Sequence, residues 1–588
     1  MKLFPFAPVA LLSFALSAHA YVLNFDDAFL VKHWNLLTTQ DGVSTNVVNT
    51  NTHAIRYFLA SDAYSTTNTA NELNAIRASF GQWQSVSGTY IKFEEAGLVS
   101  PPVDVNLDDH TNIVYWAKTS TLVNGGNDDI SGALGVTFTT WDPTSNIILE
   151  GDIVFNGVEY TWFTDFNDTS NPATFVEAVA SHEIGHFLGV AHSPVGGATM
   201  LFRGASGVNV QTGLSDDDIA GGRYLYPMVP TNFGAVKGTV TKSGSPVLGA
   251  AVFAQTSVSN VAAGTVTLPN GTYEINSLAA GTYQIRVTPL DPFVGDRLVA
   301  GYDIANSPDS TNSDFTSADT DFLPTTNVTT VIVANTTNTV NFAVTAATPV
   351  FSITHIRAPT ASSGSFSWSS LPTSIKVGQS NYFIGVASAS IPSNNASLLI
   401  TGDGLTLGTA SFLTNAFMSG LNFISVPISV ASNATPGLRS FIVSQGANVA
   451  YANGFLDVMA AVPDYNFDGL DDTFQRQYFA LFTSPQAAPG ADPDGDGMNN
   501  AGEYVAGTIP TNTASVLKML VLTNTPSGTT VSWQSVVGKR YQVSSRTNLT
   551  TGSWQNIGGV VTAINTAAQY FDPTATNGMG YYRVQVLP

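Results

Sequence analysis

The chain contains no cysteine. That excludes disulfides, thiolate metal ligands and a cysteine nucleophile. Charge is sparse, and basic charge sparser still: Lys and Arg number 21 against 42 Asp and Glu, a formal charge of −21. With no basic stripe to neutralise phosphates, nucleic acid is not an expected partner. The ~20 uninterrupted apolar residues that a membrane span requires are missing beyond the opening segment, so no span is expected. That opening, MKLFPFAPVALLSFALSAHA, has Lys2, an apolar run and Ala18-His19-Ala20, the pattern of a signal peptide over 1–20 that predicts a secreted, extracellular chain. Histidine is scarce, with 8 in 588 residues, yet three fall in the single stretch SHEIGHFLGVAHSPVGGATMLF, 181–202.

A chain of 588 residues is too long for one core and predicts several domains. In NTANELNAIRASFGQWQSV, Leu73, Ile76, Phe80 and Trp83 recur on one helical face, with Thr69 and Glu72 as a capping box. Extended runs follow, such as GALGVTFTTW and ILEGDIVFNG. A second helix is predicted from Asn171 as cap and Pro172 as first residue, ending at Gly189. This mixture predicts an α+β domain over 21–230. Beyond it the composition turns to short alternating β runs over 233–346, 347–462 and 515–588, with an acidic segment, 463–514, before the last.

The histidine stretch carries the chemistry. On a helix His182 and His186, four apart, offer imidazole nitrogens to one ion. His192 lies too far along a straight helix, but a glycine at 189 can take positive φ and swing it back beneath the metal. Three neutral imidazoles leave a zinc ion one open position, where its water acquires a pKa of about 7. Glu183 is then the general base rather than a ligand. HExxH alone also arises on helices whose histidines are surface or core residues; Gly189 and His192 at the required offsets answer separate geometric needs.

His182, Glu183, His186, Gly189, His192 and Met200 together resemble the metzincin metallopeptidases. Ser193 and the eight-residue step from His192 to Met200 are similar to the matrixin branch, and the resemblance extends over roughly 50–227, ending in LSDDDIAGGRYLYP. It implies that Met200 forms a packed, non-coordinating turn beneath the zinc, and that Asp217 and Asp218 help tie the last helix to the site; from the sequence alone both are read as structural. It also implies that a peptide or protein substrate adds as a strand along an edge near Leu134, Gly135 and Val136. The structural zinc of animal matrixins is not expected, since the strands before the helix lack histidine and His110 is the nearest one remaining. The segment 21–50 is short for a separate inhibitory domain.

The β-rich run 233–346, with Gly-Thr-Tyr at 271–273 and again at 281–283, resembles a carboxypeptidase regulatory-like β-sandwich, and 347–462 resembles an immunoglobulin-like module. In the acidic segment, DPDGDGMNNAGE resembles an EF-hand calcium loop: Asp492, Asp494 and Asp496 at positions one, three and five, Gly497 at the turn, Met498 through its carbonyl, Glu503 as bidentate ligand. A weaker calcium loop has Asp464, Asn466, Asp468 and Asp472, with Gln475 in place of the glutamate.

The sequence thus predicts a multidomain chain: an α+β metzincin-type zinc peptidase, several β-sandwich modules and a calcium-loop segment. Two functions compete: a zinc endopeptidase whose β modules position it on a surface or polysaccharide, and a non-catalytic adhesion protein with a vestigial site. The intact Glu183 favours the first, because folding does not require it.

Overall fold

A computed structural model of the chain describes Leu23 and residues 31–37, 46–204, 207–208, 210–229, 232–291, 318–364, 367–575 and 580–587. The expected signal peptide, 1–20, lies outside them. Residues up to Ala461 form one compact unit and those from Val462 a second. No helix among the described residues is long and apolar enough to cross a membrane.

The first module is α+β. Its strands are β1 (Val48–Asn49), β2 (Ala54–Ala60), β3 (Phe93–Val99), β4 (Ile113–Ala117), β5 (Leu122–Val123), β6 (Asp128–Asp129), β7 (Gly135–Asp142), β8 (Ile147–Asn156), β9 (Trp162–Phe163) and β10 (Thr174–Phe175). In the main sheet β2 pairs in parallel with β3 on one side and β4 on the other, and β4 pairs in parallel with β8. β7 runs antiparallel to β8 and forms the edge of the sheet. Helices α1 (Thr69–Gln84) and α2 (Val176–Leu188) pack together, with Trp83 Nε1 donating to Ser181 O at 2.8 Å, and α3 (Asp216–Leu225) follows.

Two helix starts differ from expectation. The capping box of Thr69 and Glu72 does not form: Asn68 occupies the cap position, and Glu72 instead accepts from Ser65 N at 2.8 Å and Ser65 Oγ at 2.7 Å. α2 begins at Val176 rather than after Pro172, because Thr174 and Phe175 pair as strand β10 with β9, and Asn171 turns its side chain to Ala173 N. Tertiary pairing overrides the local start signal. The end of α2 is as expected, with Gly189 at φ 103°.

The segment 31–37 is not a detachable appendage. Trp34 is fully buried and donates from Nε1 to Phe187 O at 2.6 Å, and a Cβ on Gly189 would stand 2.3 Å from Lys32 O. Gly189 is therefore required twice, by its positive φ and by this approach.

The second module is a sandwich of two sheets. One is built on Phe233–Lys242 with Thr272–Ala279, the other on Ala251–Thr256 between Val261–Val266 and Gly281–Thr288. It closes with Phe342–Val344 in parallel with Phe233–Lys242. The third module, from about 351, stacks a six-stranded sheet containing His355–Thr360 and Asn422–Val430 on a four-stranded sheet containing Gly437–Gln445 and Asn448–Met459.

These modules do not hang separately. One buried apolar cluster runs without a break from the first module into the second. Between the second and third, Arg286 Nη2 donates to Asn453 Oδ1 at 2.5 Å, and Asn453 N donates to Asp291 Oδ2 at 2.8 Å, all buried. Buried charges of this kind need partners, and here the partners cross modules.

The second unit opens with two short helices, Asp472–Tyr478 and Asn500–Ala506, each preceded by one of the acidic loops. Two three-stranded sheets follow around Trp533 and Tyr541.

Candidate metal centre

α2 carries His182 and His186 on one face, and the turn at Gly189 returns the chain so that His192 meets them. His186 Nε2 lies 3.1 Å from His182 Nε2 and 3.2 Å from His192 Nε2. Tetrahedral zinc with Zn–N bonds of 2.0–2.1 Å holds its nitrogens about 3.3 Å apart, so the spacing fits. The other ring nitrogens fix the tautomers. His182 Nδ1 is 2.7 Å from Thr199 O and His186 Nδ1 is 2.8 Å from Val190 O, so each must donate there and leave its Nε2 a lone pair. Lone pairs that converge without a proton between them call for a cation. Burial holds His182 down to about 4 and His186, helped by its neighbour His182, down to about 3, which keeps both neutral.

Glu183 is buried beside them. Thr137 Oγ1 donates to its Oε2 at 2.7 Å and to its backbone carbonyl at 2.9 Å, tying the base to edge strand β7. Burial pushes its pKa up to about 7 against that hydrogen bond. Gly135 makes room: a Cβ there would lie 2.9 Å from Glu183 Cγ and Oε1.

The floor is set by Met200, buried and not among the converging ligands. Its Sδ would be 2.2 Å from a Cβ on Gly185, so the glycine between the two α2 histidines is what admits the methionine. Asp217 and Asp218 are fully buried rather than solvated. Asp218 accepts from Thr199 N at 2.9 Å, Met200 N at 3.0 Å and Ser215 N at 2.8 Å, and Thr199 in turn holds His182. Asp217 accepts from Ser193 Oγ at 2.6 Å, the residue after the third histidine. The resemblance anticipated a tie between α3 and the site; the exact atoms, along with Thr137, Gly185 and Thr199, had no sequence signal of their own.

The loop between His192 and Met200 lies under both sandwiches. Val195 is fully buried, Gly196 N donates to Asn453 O at 2.9 Å, and a Cβ at Gly196 or Gly197 would strike Phe455 or Leu438 of the third module.

Above the histidines opens a cavity of about 860 Å³. Leu134, Gly135, Val136 and Thr137 line it along β7, so the expected substrate edge borders the three imidazoles and Glu183. None of residues 31–37 lines it.

Comparison with known proteins agrees with this geometry. Residues 49–227 match the Matrixin family and residues 235–291 the Carboxypeptidase regulatory-like domain. The first module is a matrixin-like zinc peptidase domain. It is 30% identical over 156 residues to Metalloendoproteinase 4-MMP of Arabidopsis thaliana, covering 26% of this chain and 40% of that protein. Over 118 residues it is 35% identical to Metalloendoproteinase 5-MMP of the same plant, covering 19% of this chain and 31% of that one. The chain thus spans two fifths of the first relative's length and less of the second's. Among solved structures, the minor pilin GBS52 of Streptococcus agalactiae is similar at a TM-score of 0.14 and 11% identity, over 21% of this chain and 48% of that one.

In the second unit the two acidic loops differ. Asp492, Asp494 and Asp496 bring carboxylate oxygens within 4.8 Å of one another, a group that can hold a metal ion. Gly497 turns at φ 95°, and Asp492 accepts from Gly495 N and Gly497 N. Behind them Glu503 is fully buried, with the Thr508 hydroxyl beside it; Thr508 Oγ1 also lies 3.9 Å from Met498 Sδ. In the earlier loop Asp464 accepts from Asp468 N and Gly469 N, and Asp472 from Tyr465 N. There Asn466 Nδ2 and Gln475 Nε2 both donate to Asp468 Oδ2, at 3.1 and 2.8 Å.

Proposed function

We propose that the chain is a secreted zinc-dependent endopeptidase acting on extended peptide segments of proteins. The observation that carries this is the convergence of three imidazole Nε2 atoms beside a buried carboxylate at the edge of a sheet. His182, His186 and His192 are the residues that would hold zinc. When bound, zinc supplies Lewis acidity for the scissile carbonyl and for the attacking water.

The chain's own residues do the rest. β7, with the adjoining Leu134, offers its free backbone edge, so that a peptide adds as a strand with its scissile bond over the histidines. Glu183 accepts a proton from the attacking water and passes it to the departing amine; a carboxyl raised to about 7 by burial suits both transfers near neutral pH. Thr137 holds that carboxylate in position.

The second acidic loop, through Asp492, Asp494, Asp496, Glu503 and the carbonyl of Met498, is proposed to hold calcium, with Asp464, Asn466, Asp468 and Asp472 as a weaker site. We read the third module as immunoglobulin-like and the β modules as elements that place the peptidase on its substrate or on a surface.

The deciding experiment is cleavage of a peptide library by the full chain supplied with zinc, with a chelator control and Glu183→Ala. Turnover should fall by about 10²–10⁴-fold in the variant while its zinc content stays unchanged. Full activity without Glu183 would overturn the reading.

A further inference from the structure

The cavity over the histidines is not walled by the peptidase module alone. Across from β7 it is lined by the third module, through His355, Trp368, Leu371 and Met418. We propose that this module forms the far wall of the substrate cleft, and that Trp368, with Leu371 and Met418, selects peptides carrying a bulky apolar side chain. The inference rests on the peptide-binding reading of the same cleft and adds a determinant of which peptides enter.

The wall is built rather than incidental. Trp368 sits on a strand, Trp368–Ser369, in register with Arg357 and Ile356 of the six-stranded sheet. Its ring is clamped by Phe423 at 4.8 Å, edge to face, and by Phe417 at 6.1 Å, stacked. An aromatic surface fixed in this way loses little freedom when a ligand packs on it. The adjoining residue is tied to the peptidase module: Arg203 Nη1, in the segment after Met200, donates to Ser370 Oγ at 3.0 Å. The two modules also belong to one compact unit, joined beneath the cleft by the buried contact of Gly196 with Asn453.

The chemistry of the wall names the ligand. A peptide paired to β7 spends its backbone groups on that strand, and on the third module it meets an indole, a leucine and a methionine together with His355, Ser369 and Ser370. None of the residues lining the cavity is an aspartate or a lysine, Glu183 is the lone carboxylate and Arg203 the lone guanidinium. Met418 is 41% exposed, so an unbranched, adaptable side chain stands ready to close over a guest. Large apolar side chains gain most from such a surface, and a charged one set against Trp368, Leu371 and Met418 loses hydration there.

The test separates binding from turnover. Fluorescence anisotropy would follow the binding of extended peptides, identical except for Phe, Leu, Ala or Asp at one position scanned along the chain, to the full-length Glu183→Ala protein. At one position Phe and Leu should bind at least about tenfold tighter than Ala. Trp368→Ala should erase that preference and leave the Ala peptide within about twofold, since differential affinity is what the wall supplies. Near-ultraviolet circular dichroism reports whether the third module still folds, and Trp368→Phe and Met418→Ala, which keep the aromatic cluster, should respectively preserve and weaken the preference. Cleavage by the protein with Glu183 intact should show the same change in KM rather than in kcat. A preference unchanged by all three variants, uniform tightening of every peptide, or no peptide binding would overturn the proposal. A Trp368-dependent preference in a chain that cleaves nothing would sustain it and refute the peptidase reading.

Discussion

The amide of Gly264, in the second module, donates to Oδ1 of Asp217, in the last helix of the first, at 2.7 Å in a fully buried setting. The other oxygen of Asp217 accepts from Ser193, next to His192. One carboxylate thus joins a β-sandwich strand to the loop that delivers the third imidazole. Asp217→Ala strands two buried donors, each costing about 1–3 kcal/mol. The expected outcome is a lower melting temperature together with weaker zinc retention, checked by calorimetry and metal analysis. A variant that melts lower yet holds zinc as tightly would show that the sandwich supports the fold but not the centre.

Gly135 tests the coupling between strand and base. An added methyl would stand 2.9 Å from the Glu183 carboxylate, so Gly135→Ala must displace it, while the imidazoles keep their partners. Displacement of a reacting group by about 1 Å can cost 10²-fold in rate. Turnover should fall by about that factor with zinc content intact, measured as kcat alongside metal analysis. Thr137→Val removes the hydrogen bond without the clash and should cost less.

Zinc should stabilise the chain as well as equip it. His182 and His186, each donating from Nδ1 to a carbonyl, turn Nε2 lone pairs toward each other with His192 Nε2 beside them, and such lone pairs repel one another until a cation is bound. At a concentration 100 times its Kd, zinc should add about 2.7 kcal/mol to the stability of the first unit. Calorimetry with zinc and with chelator would measure this, and His192→Ala should abolish the difference. Equal melting temperatures in the unmodified chain would mean that the histidines do not act together.

The centre was legible in the sequence because its parts are local: a helical step of four, one positive-φ glycine and a methionine at a fixed offset place every ligand within twenty residues. The same locality made the starts of α1 and α2 misleading, since Thr69 and Pro172 are sound start signals that lose to Glu72 bonding Ser65 and to strand β10 pairing with β9. Thr137, Gly264 and Trp368 were illegible for the opposite reason. Their roles depend on which distant strand comes to lie against the helix, and neither a threonine in an alternating run nor a tryptophan in a serine-rich one records its eventual neighbour. Changes of composition along the chain carry no sign of the core that runs from the first module into the second.

The calcium site proposed for the second unit turns on Glu503, a buried carboxylate behind three aspartates. Asp494 and Asp496 each keep one buried oxygen without a donor, and the donor beside the buried Glu503 carboxylate is the Thr508 hydroxyl. Burial and the three aspartates raise Glu503 to about 7, a mark of negative charge crowded into too little solvent. In the earlier loop the amides of Asn466 and Gln475 already occupy Asp468 Oδ2, and a glutamine brings no charge to the twelfth position. Calorimetric titration of the full chain with calcium should therefore resolve one dominant binding event, accompanied by a higher melting temperature for the second unit. Glu503→Gln should weaken that event by at least about tenfold, or about 1.4 kcal/mol. Gln475→Glu should strengthen the other loop, because it exchanges an occupying donor for a ligand. Two equal events in the unmodified chain, or none, would show that Glu503 is not what distinguishes the loops.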